Sequence, residues 1–253
     1  HNFLDIEENN RKIRKIRPSH CLHLAWDTTP GKYWTSTENI LWTASSLSMI
    51  DEFYRNGGER FVGAGSCAEY DWHNGYFIES SSSLEPDSLY GKCKNSLQNI
   101  LASYSHEISA SSAWGRVFFL FGPHENPSRL VPSVILSLLR DEPVLCSHGN
   151  QIRDYLHVYD VANSFIKILL SEVTGPINIA SGKPVFVKDI IYKIAELLNG
   201  SEKIHLGKLL AKNEPPVITA DIVKLQNEVG FSPIYDIKSG LQQTIDWWKC
   251  SIQ

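Results

Sequence analysis

Long apolar runs are absent from this sequence of 253 residues. No stretch approaches the roughly eighteen consecutive apolar residues that identify a transmembrane helix. The opening segment, HNFLDIEENNRKIRKIRP, also lacks the apolar run that a secretory signal peptide needs. We therefore expect a cytoplasmic protein without a membrane partner.

Charge of one sign is not in excess, and cysteines are few. The formal net charge of -4 gives nucleic acid or an anionic membrane no electrostatic reason to bind. The five cysteines are widely spaced, without a CxxC pair or a Cys/His cluster at zinc-ligand spacing. We therefore expect no nucleic-acid partner, no metal site, and cysteines that remain reduced thiols.

Short apolar runs alternate with longer runs of helical spacing along the chain. Parallel strands that are buried on both faces have continuous apolar sequences, so this alternation predicts an α/β fold with a Rossmann-type, doubly wound parallel sheet. The predicted strands are 20–26, 60–66, 111–121, 144–147 and 177–181. The predicted helices are 6–16, 37–57, 90–108, 128–141, 158–172 and 187–200.

The composition changes near residue 122, where segments containing proline, such as FGPHENPSRLVP, begin. This change predicts two parts of unequal size. The larger is the sheet domain, formed by residues 1–121 with parts of 144–181. The smaller is a C-terminal lobe, formed mainly by residues 122–253.

Tyr90 and Lys94 lie four residues apart in SLYGKCKNSL, and therefore on one face of a predicted helix. A nearby ammonium favours the phenolate, which would suit Tyr90 to general acid/base catalysis. Ser66 stands at the carboxyl end of the predicted strand RFVGAGS, the edge at which open α/β sheets bind ligands. The Tyr90 and Lys94 pair taken alone is weak evidence, because tyrosine and lysine occur at this spacing by chance on many ordinary helices with a solvated lysine.

Five segments occur in a characteristic order: GSCAEY, YGKCK beginning 24 residues after Ser66, GRVFFLFGP, QIRDYLHVYDVA and INIASGKPVFVKDI. Together they resemble the extended short-chain dehydrogenase/reductase family, the NAD-dependent epimerases, dehydratases and reductases of nucleotide sugars. The likeness covers nearly the whole chain. It implies an NAD(P)-binding sheet domain, a substrate-binding lobe, NAD or NADP as cofactor, and a homodimer built through helices 37–57 and 90–108.

The resemblance also implies a role for individual residues. Ser66, Tyr90 and Lys94 would form the catalytic triad, in which Tyr90 exchanges a proton with a sugar oxygen. The implied cofactor contacts, besides Tyr90 and Lys94, are Asp5, Ile6, Leu24, Ala25, Trp26 and Asn39. The implied substrate contacts are Ser66, Arg129 and Arg153, the last of which would bind the nucleotide-sugar diphosphate.

Several of these residues have a structural explanation that the sequence leaves open. Asp5 suits the N-terminus of a helix, where a carboxylate stabilises the macrodipole. Trp26 suits the core, and Asn39 suits a buried backbone group. Arg153 and Asp154 would also suit a surface ion pair of little energetic value.

The sequence departs from the family pattern at three places. No GxxGxxG turn, which would receive the cofactor pyrophosphate, occurs before HNFLDIEE, so NAD and NADP cannot be distinguished. Cys67 and Ala68 stand where dehydratases of the family carry an acid, and strand alternation predicts that Glu69 points away. Phe119 stands where many relatives have asparagine near the sugar phosphate.

These features predict an NAD(P)-dependent epimerase or 4-ketoreductase that acts on a nucleotide-activated sugar, and they disfavour dehydration. Two alternatives remain open. One is a catalytically impaired family member that serves as a binding or structural module. The other is a reductase of a carbonyl compound that is not a sugar.

Overall fold

A computed structural model describes residues 2–210 and 214–251. Within these residues, short 3₁₀ helices lie at Cys67–Glu69, Trp72–Asn74 and Ser201–Lys203. The helices and strands follow one another in this order: α1 (Ile6–Ile16), β1 (His20–His23), α2 (Glu38–Arg55), β2 (Arg60–Ser66), β3 (Tyr76–Phe77), α3 (Leu89–Glu107), β4 (Ser111–Val117), β5 (Phe119–Phe121), α4 (Leu130–Leu139), β6 (Val144–Leu145), β7 (Ile152–Arg153), β8 (Tyr155–His157), α5 (Val158–Leu170), β9 (Gly175–Ile179), β10 (Val185–Phe186), α6 (Val187–Leu197), β11 (Ile204–His205), β12 (Val217–Ala220), α7 (Val223–Asn227) and α8 (Ile237–Ser251).

The main sheet has four strands in the order β1-β2-β4-β9, and all neighbours are parallel. The pairing of β2 with β4 runs from Arg60 opposite Ser111 to Ser66 opposite Val117. Parallel neighbours need crossover connections, and helices provide them here. The predicted α/β class with a parallel sheet is therefore confirmed.

Helices cover both faces of this sheet. Phe61 and Trp114 pack in one cluster with residues of α2 and α3. Val62 and Ala113, each one position away along its strand, pack in another cluster with residues of α5. Because side chains alternate between the faces of a strand, this distribution is that of a doubly wound sheet.

A separate apolar cluster lies in the C-terminal half of the chain. It joins α4, α6 and α8 through side chains that include Ile135, Ile191, Leu241 and Trp248. Short strands in three small sheets, β10-β7-β12-β3, β11-β6 and β5-β8, accompany it. A C-terminal lobe beginning near residue 122 stays a prediction, although this core begins at Phe121.

The predicted strand 111–121 is in fact two strands, because the chain changes partners at Phe118. The Phe118 N–H donates to the Ile179 carbonyl in the main sheet over 3.1 Å, whereas the Phe119 N–H donates to the Asp154 carbonyl over 3.3 Å. The predicted strand 144–147 is shortened to Val144–Leu145, and it pairs with β11 instead of the main sheet.

The predicted strand 60–66 and helix 6–16 occur with the predicted ends, and the other predicted elements occur with some displaced ends. The strand predicted at 20–26 ends at His23, where its pairing with β2 ends, and the strand predicted at 177–181 occupies Gly175–Ile179. The six predicted helices all occur, with ends displaced by three residues or fewer. Within residues 2–210 and 214–251, no helix has the length and apolar character needed to cross a membrane. No group of three or more His, Cys, Asp or Glu side chains in these ranges could hold a metal ion.

Candidate active site

The carboxyl ends of β1, β2 and β4 open into a cavity of about 1140 Å³. Ligands of open α/β sheets bind at this edge. The predicted site residues that line the cavity are Leu24, Trp26, Ser66, Tyr90, Lys94, Arg129 and Arg153. The remaining predicted residues, Asp5, Ile6, Ala25 and Asn39, are not among its lining residues.

Ser66 is the last residue of β2 and the N-cap of the 3₁₀ helix Cys67–Glu69. Its Oγ accepts a hydrogen bond from the Ala68 N–H over 3.2 Å. Its own N–H donates to Oε1 of Glu69 over 2.8 Å, which completes a capping box. Hydrogen bonds therefore hold both the backbone N–H and the side chain of Ser66, and this side chain lines the cavity.

Tyr90 lies in the first turn of α3, behind the N-cap Ser88, whose Oγ accepts from the Gly91 N–H. Its ring meets the Tyr33 ring edge-on, with 4.8 Å between centroids, and the Trp34 ring at 5.8 Å. Burial raises the pKa of the Tyr90 phenol, and a hydrogen bond with the Ser66 hydroxyl opposes this rise. The hydroxyls of the predicted proton donor and of its predicted partner therefore meet.

Lys94 follows one turn later and is buried. Its Nζ donates to the Ala64 carbonyl over 2.8 Å and lies 3.9 Å from the centroid of the Trp26 ring. Burial lowers the pKa of Lys94 to about 7, although the charge of Glu69 opposes this. An ammonium has three donors, and Ala64 takes one, so the group suits the paired hydroxyls of a nucleotide ribose.

The burial of Lys94 predicts a stability difference that depends on pH. Between about pH 7 and the ordinary lysine pKa of 10.5, the unfolded chain binds a proton at this site that the folded chain lacks. Stability therefore rises with pH across this window, by up to about 1.4 kcal/mol for each pH unit. In urea unfolding without added nucleotide, wild type should gain stability relative to Lys94→Met from pH 7 to pH 10. The stability difference between wild type and Lys92→Met, a change at an exposed position, should not vary with pH.

Gly91 allows α3 to approach the end of β2 closely. A Cβ atom at this position would lie 2.2 Å from the Ala68 carbonyl oxygen, which belongs to the backbone and cannot move aside easily. The absence of a side chain at Gly91 therefore allows Tyr90 to lie beside Ser66.

We expect Gly91→Ala to destabilise the fold by about 1–3 kcal/mol, as overpacking does in well-packed interiors. Denaturant unfolding would measure this loss. Ser96→Ala, at an exposed position of α3, is the matched control and should stay within about 0.5 kcal/mol of wild type. Equal stability of both variants would contradict the close approach.

A buried ion pair lies next to the site and helps to hold Ser66 in place, because Glu69 also accepts the Ser66 N–H. Glu69 and Arg116 are both fully buried, and Nε of Arg116 donates to Oε2 of Glu69 over 2.8 Å. The indole N–H of Trp114 donates to the same carboxylate, and Nη1 of Arg116 donates to the Tyr70 hydroxyl over 3.1 Å. Strand alternation was the wrong reason for the orientation of Glu69, because this residue belongs to a 3₁₀ helix. Its carboxylate nevertheless lies outside the cavity lining, committed to these partners.

Trp26 is held in place by Asn39. The indole N–H of Trp26 donates to Oδ1 of Asn39 over 2.8 Å, and Nδ2 of Asn39 donates to the carbonyls of Tyr33 and Ser36. Asn39 thus satisfies backbone groups and orients Trp26. Asp5 accepts the Glu8 N–H as the N-cap of α1, which matches its structural explanation. Cofactor contacts by Asp5, Ile6, Ala25 and Asn39 stay predictions.

Arg153 and Asp154 do not form a surface ion pair, since both are buried and each has other partners. The Asp154 carboxylate accepts from the backbone N–H groups of Ser181 and Gly182 and from the Ser181 hydroxyl. The Arg153 guanidinium faces the cavity, 5.3 Å from the centroid of Phe119, with Glu214 at 3.5 Å. Asp154 therefore stabilises the fold, whereas Arg153 forms part of the cavity wall.

Three aromatic side chains near Tyr90, those of Tyr33, Trp34 and Trp72, were not anticipated from the sequence. Trp34 also accepts the Tyr90 N–H at its carbonyl over 3.2 Å and packs edge-on against Trp72, 5.7 Å away. They come from segments distant in sequence from Tyr90 and carry no motif. Arg116 did carry a signal, because an arginine within a predicted buried strand requires a partner.

The parallel sheet and the meeting of serine, tyrosine and lysine at its carboxyl edge define a Rossmann-type protein. A sequence model described as "NAD dependent epimerase/dehydratase family" matches residues 1–180. The chain belongs to this family, which confirms the resemblance.

Relatives within the family differ in the reaction they catalyse. UDP-glucuronate 4-epimerase 2 of Arabidopsis thaliana is 24% identical over 265 residues, which cover 94% of this chain and 60% of that relative. The dTDP-glucose 4,6-dehydratase of Salmonella typhimurium is also 24% identical, over 98% of this chain and 77% of its own length. The chain thus spans about 60% of the length of the Arabidopsis epimerase.

Solved structures show the same fold. The UDP-glucose 4-epimerase of Thermotoga maritima, solved with UDP-glucose, superposes with a TM-score of 0.87 at 19% identity, over 100% of this chain and 84% of the other. MoeE5, solved with UDP-glucuronic acid and NAD, superposes with a TM-score of 0.84 at 25% identity, over 98% and 84% of the two chains. These neighbours carry nucleotide sugars, and the second carries NAD.

Proposed function

We propose that this chain carries the catalytic site of an NAD(P)-dependent epimerase or 4-ketoreductase of a nucleotide-activated sugar. The observation that supports it most is that Ser66, Tyr90 and Lys94 converge on one cavity, whose wall also presents Arg129 and Arg153. The family membership and the nucleotide sugars bound by solved neighbours favour the same class of substrate.

When bound, a nicotinamide supplies the acceptor and donor of a hydride at a sugar carbon. Tyr90 exchanges a proton with the oxygen on that carbon, and Ser66 donates a hydrogen bond to the same oxygen. Lys94 binds ribose hydroxyls with its remaining donors. In its protonated form Lys94 would also favour the phenolate of Tyr90, because charges act strongly in a buried site.

Arg153 is the proposed partner of the diphosphate. Its bonds to the Pro216 carbonyl and to Glu214, at 3.4 and 3.5 Å, are long and therefore weak. The guanidinium can exchange them for two parallel bonds to phosphate oxygens. We expect Arg153→Ala to raise the Kd for UDP-glucose by about 10–100-fold, measured by calorimetry.

Arg140→Ala is the matched control for Arg153→Ala, because Arg140 is exposed at the end of α4 and does not line the cavity. Its Kd should equal that of wild type. An unchanged Kd for Arg153→Ala would contradict the diphosphate role and favour a substrate other than a nucleotide sugar.

Epimerisation or ketone reduction is proposed over dehydration because neither of the two residues that follow Ser66 is an acid. Cys67 and Ala68 cannot move a proton in an elimination, and the Glu69 carboxylate is engaged by Arg116. The test is incubation with UDP-glucose, UDP-glucuronic acid or dTDP-glucose and NAD(P), followed by mass spectrometry and NMR. A product lighter by one water would contradict the proposal, and so would the absence of thermal stabilisation by NAD(H) and NADP(H).

A homodimer through α2 and α3 is part of the same proposal. These helices pack together and expose Ile40, Leu41 and Ile100. Pairing with a second copy would bury these side chains in a four-helix bundle. Light scattering of wild type and of Ile100→Asp would test it, and a monomeric wild type would contradict it.

A further inference from the structure

Glu125 is a cavity residue to which the proposed reaction gives no role. It lies between β5 and α4 and lines the cavity. Its Oε2 atom is buried, and no group in residues 2–210 and 214–251 hydrogen-bonds to it. A buried acceptor without a partner costs stability, so natural proteins contain few of them, and each requires an explanation.

Other buried carboxylates of this chain are fully engaged. Glu69 accepts from Arg116, Trp114 and the Ser66 backbone, and Asp154 accepts three hydrogen bonds from residues 181–182. Asp160 accepts the backbone N–H groups of Ile234 and Tyr235. These carboxylates serve the fold, whereas one oxygen of Glu125 has no partner among residues 2–210 and 214–251 and is available to a ligand.

Glu125 lines the cavity together with Arg129, which the sequence predicts as a substrate contact. The Arg129 guanidinium is 5.7 Å from the centroid of the Tyr33 ring, which in turn contacts the Tyr90 ring at 4.8 Å. Burial raises the pKa of Glu125 to about 7, and the nearby charge of Arg129 opposes this rise. Arg129 thus connects this carboxyl group with the aromatic side chains around Tyr90, the part of the cavity in which the proposed reaction places the sugar.

We propose that Glu125 is a specificity-determining residue that accepts a hydrogen bond from a hydroxyl of a neutral sugar and disfavours a sugar carboxylate. This inference rests on the proposed function. A neutral hexose can donate to Oε2 and removes the unpaired acceptor. Above about pH 7, where Glu125 is ionised, a uronate offers like charge instead of that donor, and like charges repel strongly where water is scarce.

The test uses UDP-glucose and UDP-glucuronic acid as probes, because relatives of this chain act on either kind of sugar. Calorimetry in the presence of NAD at about pH 8.5, where Glu125 is ionised, should show that wild type binds UDP-glucose at least about tenfold more tightly than UDP-glucuronic acid. Glu125→Gln removes the charge at nearly constant shape. The ratio of the variant's affinity for UDP-glucuronic acid to its affinity for UDP-glucose should therefore be about tenfold higher than in wild type. Glu125→Met, which removes charge and acceptor together, should also lose the preference.

Glu142→Gln is the control, because Glu142 is exposed and does not line the cavity. It should keep the wild-type ratio of affinities, and melting curves should show that all variants are folded. The same ratio in wild type and both Glu125 variants would overturn the role of Glu125 alone, as would a wild-type preference for UDP-glucuronic acid. Failure of wild type to bind either probe would overturn the proposed function as well.

Discussion

Replacement of Tyr90 by phenylalanine is expected to lower kcat by about 10²–10⁴-fold, the usual contribution of a positioned general acid or base. In the proposed mechanism, the phenol exchanges a proton with a sugar oxygen that accepts a hydrogen bond from Ser66. Phenylalanine keeps the edge-on contacts with Tyr33 and Trp34, so folding and nucleotide binding should persist. Turnover would be measured on the nucleotide sugar that wild type converts.

Tyr104→Phe is the matched control, because Tyr104 lies on the same helix and its hydroxyl donates to Asp51, outside the cavity. It should retain the wild-type kcat. Retention of most activity by Tyr90→Phe, with normal melting, would show that another group moves the proton. A loss of kcat with an unchanged Kd for the nucleotide sugar is the signature expected of a group that acts in the transition state.

Replacement of Arg116 by leucine is expected to reduce the free energy of unfolding by about 3–5 kcal/mol. The substitution leaves the Glu69 carboxylate buried without its cationic partner and removes the donor to the Tyr70 hydroxyl. Because Glu69 also accepts the Ser66 N–H, the position of the Ser66 hydroxyl should be disturbed together with stability. Guanidinium unfolding at neutral pH would measure the change.

The exposed pair of Arg55 and Asp51 on α2 provides the comparison. Arg55→Leu removes a hydrogen-bonded ion pair of similar length, but water screens the charges, so the cost should stay below about 1 kcal/mol. Similar losses in the two variants would mean that the Glu69 and Arg116 pair contributes no more than a surface pair.

Local pattern was sufficient for much of this protein. Apolar runs and helical spacing predicted the parallel sheet and six helices of the chain. Burial on two faces imposes those patterns on the sequence of a doubly wound protein. The spacing of Tyr90 and Lys94, and the position of Ser66 at the end of a strand, are likewise local properties. The structure brings all three to one cavity.

Strand ends were less predictable, since partners set them. The apolar run 111–121 is continuous in sequence, yet Phe119 leaves the main sheet to pair with Tyr155. Residue type does not encode this change, because the geometry of β8 and the anchored Asp154 determine which hydrogen bonds are available.

The sequence thus determined the fold class, the family and the candidate catalytic residues, which the structure brings to one cavity. The side chains that hold those residues in position come from segments distant in sequence, and only the folded chain brings them together. Glu69 pairs with Arg116, which is 47 positions away in sequence. Tyr33, between β1 and α2, packs against Tyr90 on α3. Glu125 gave no signal at all, because an acidic residue in a loop is ordinary until folding buries one of its oxygens without a partner. Periodicity records which side chains are buried, but the pairing of buried charges is settled when the chain packs in three dimensions.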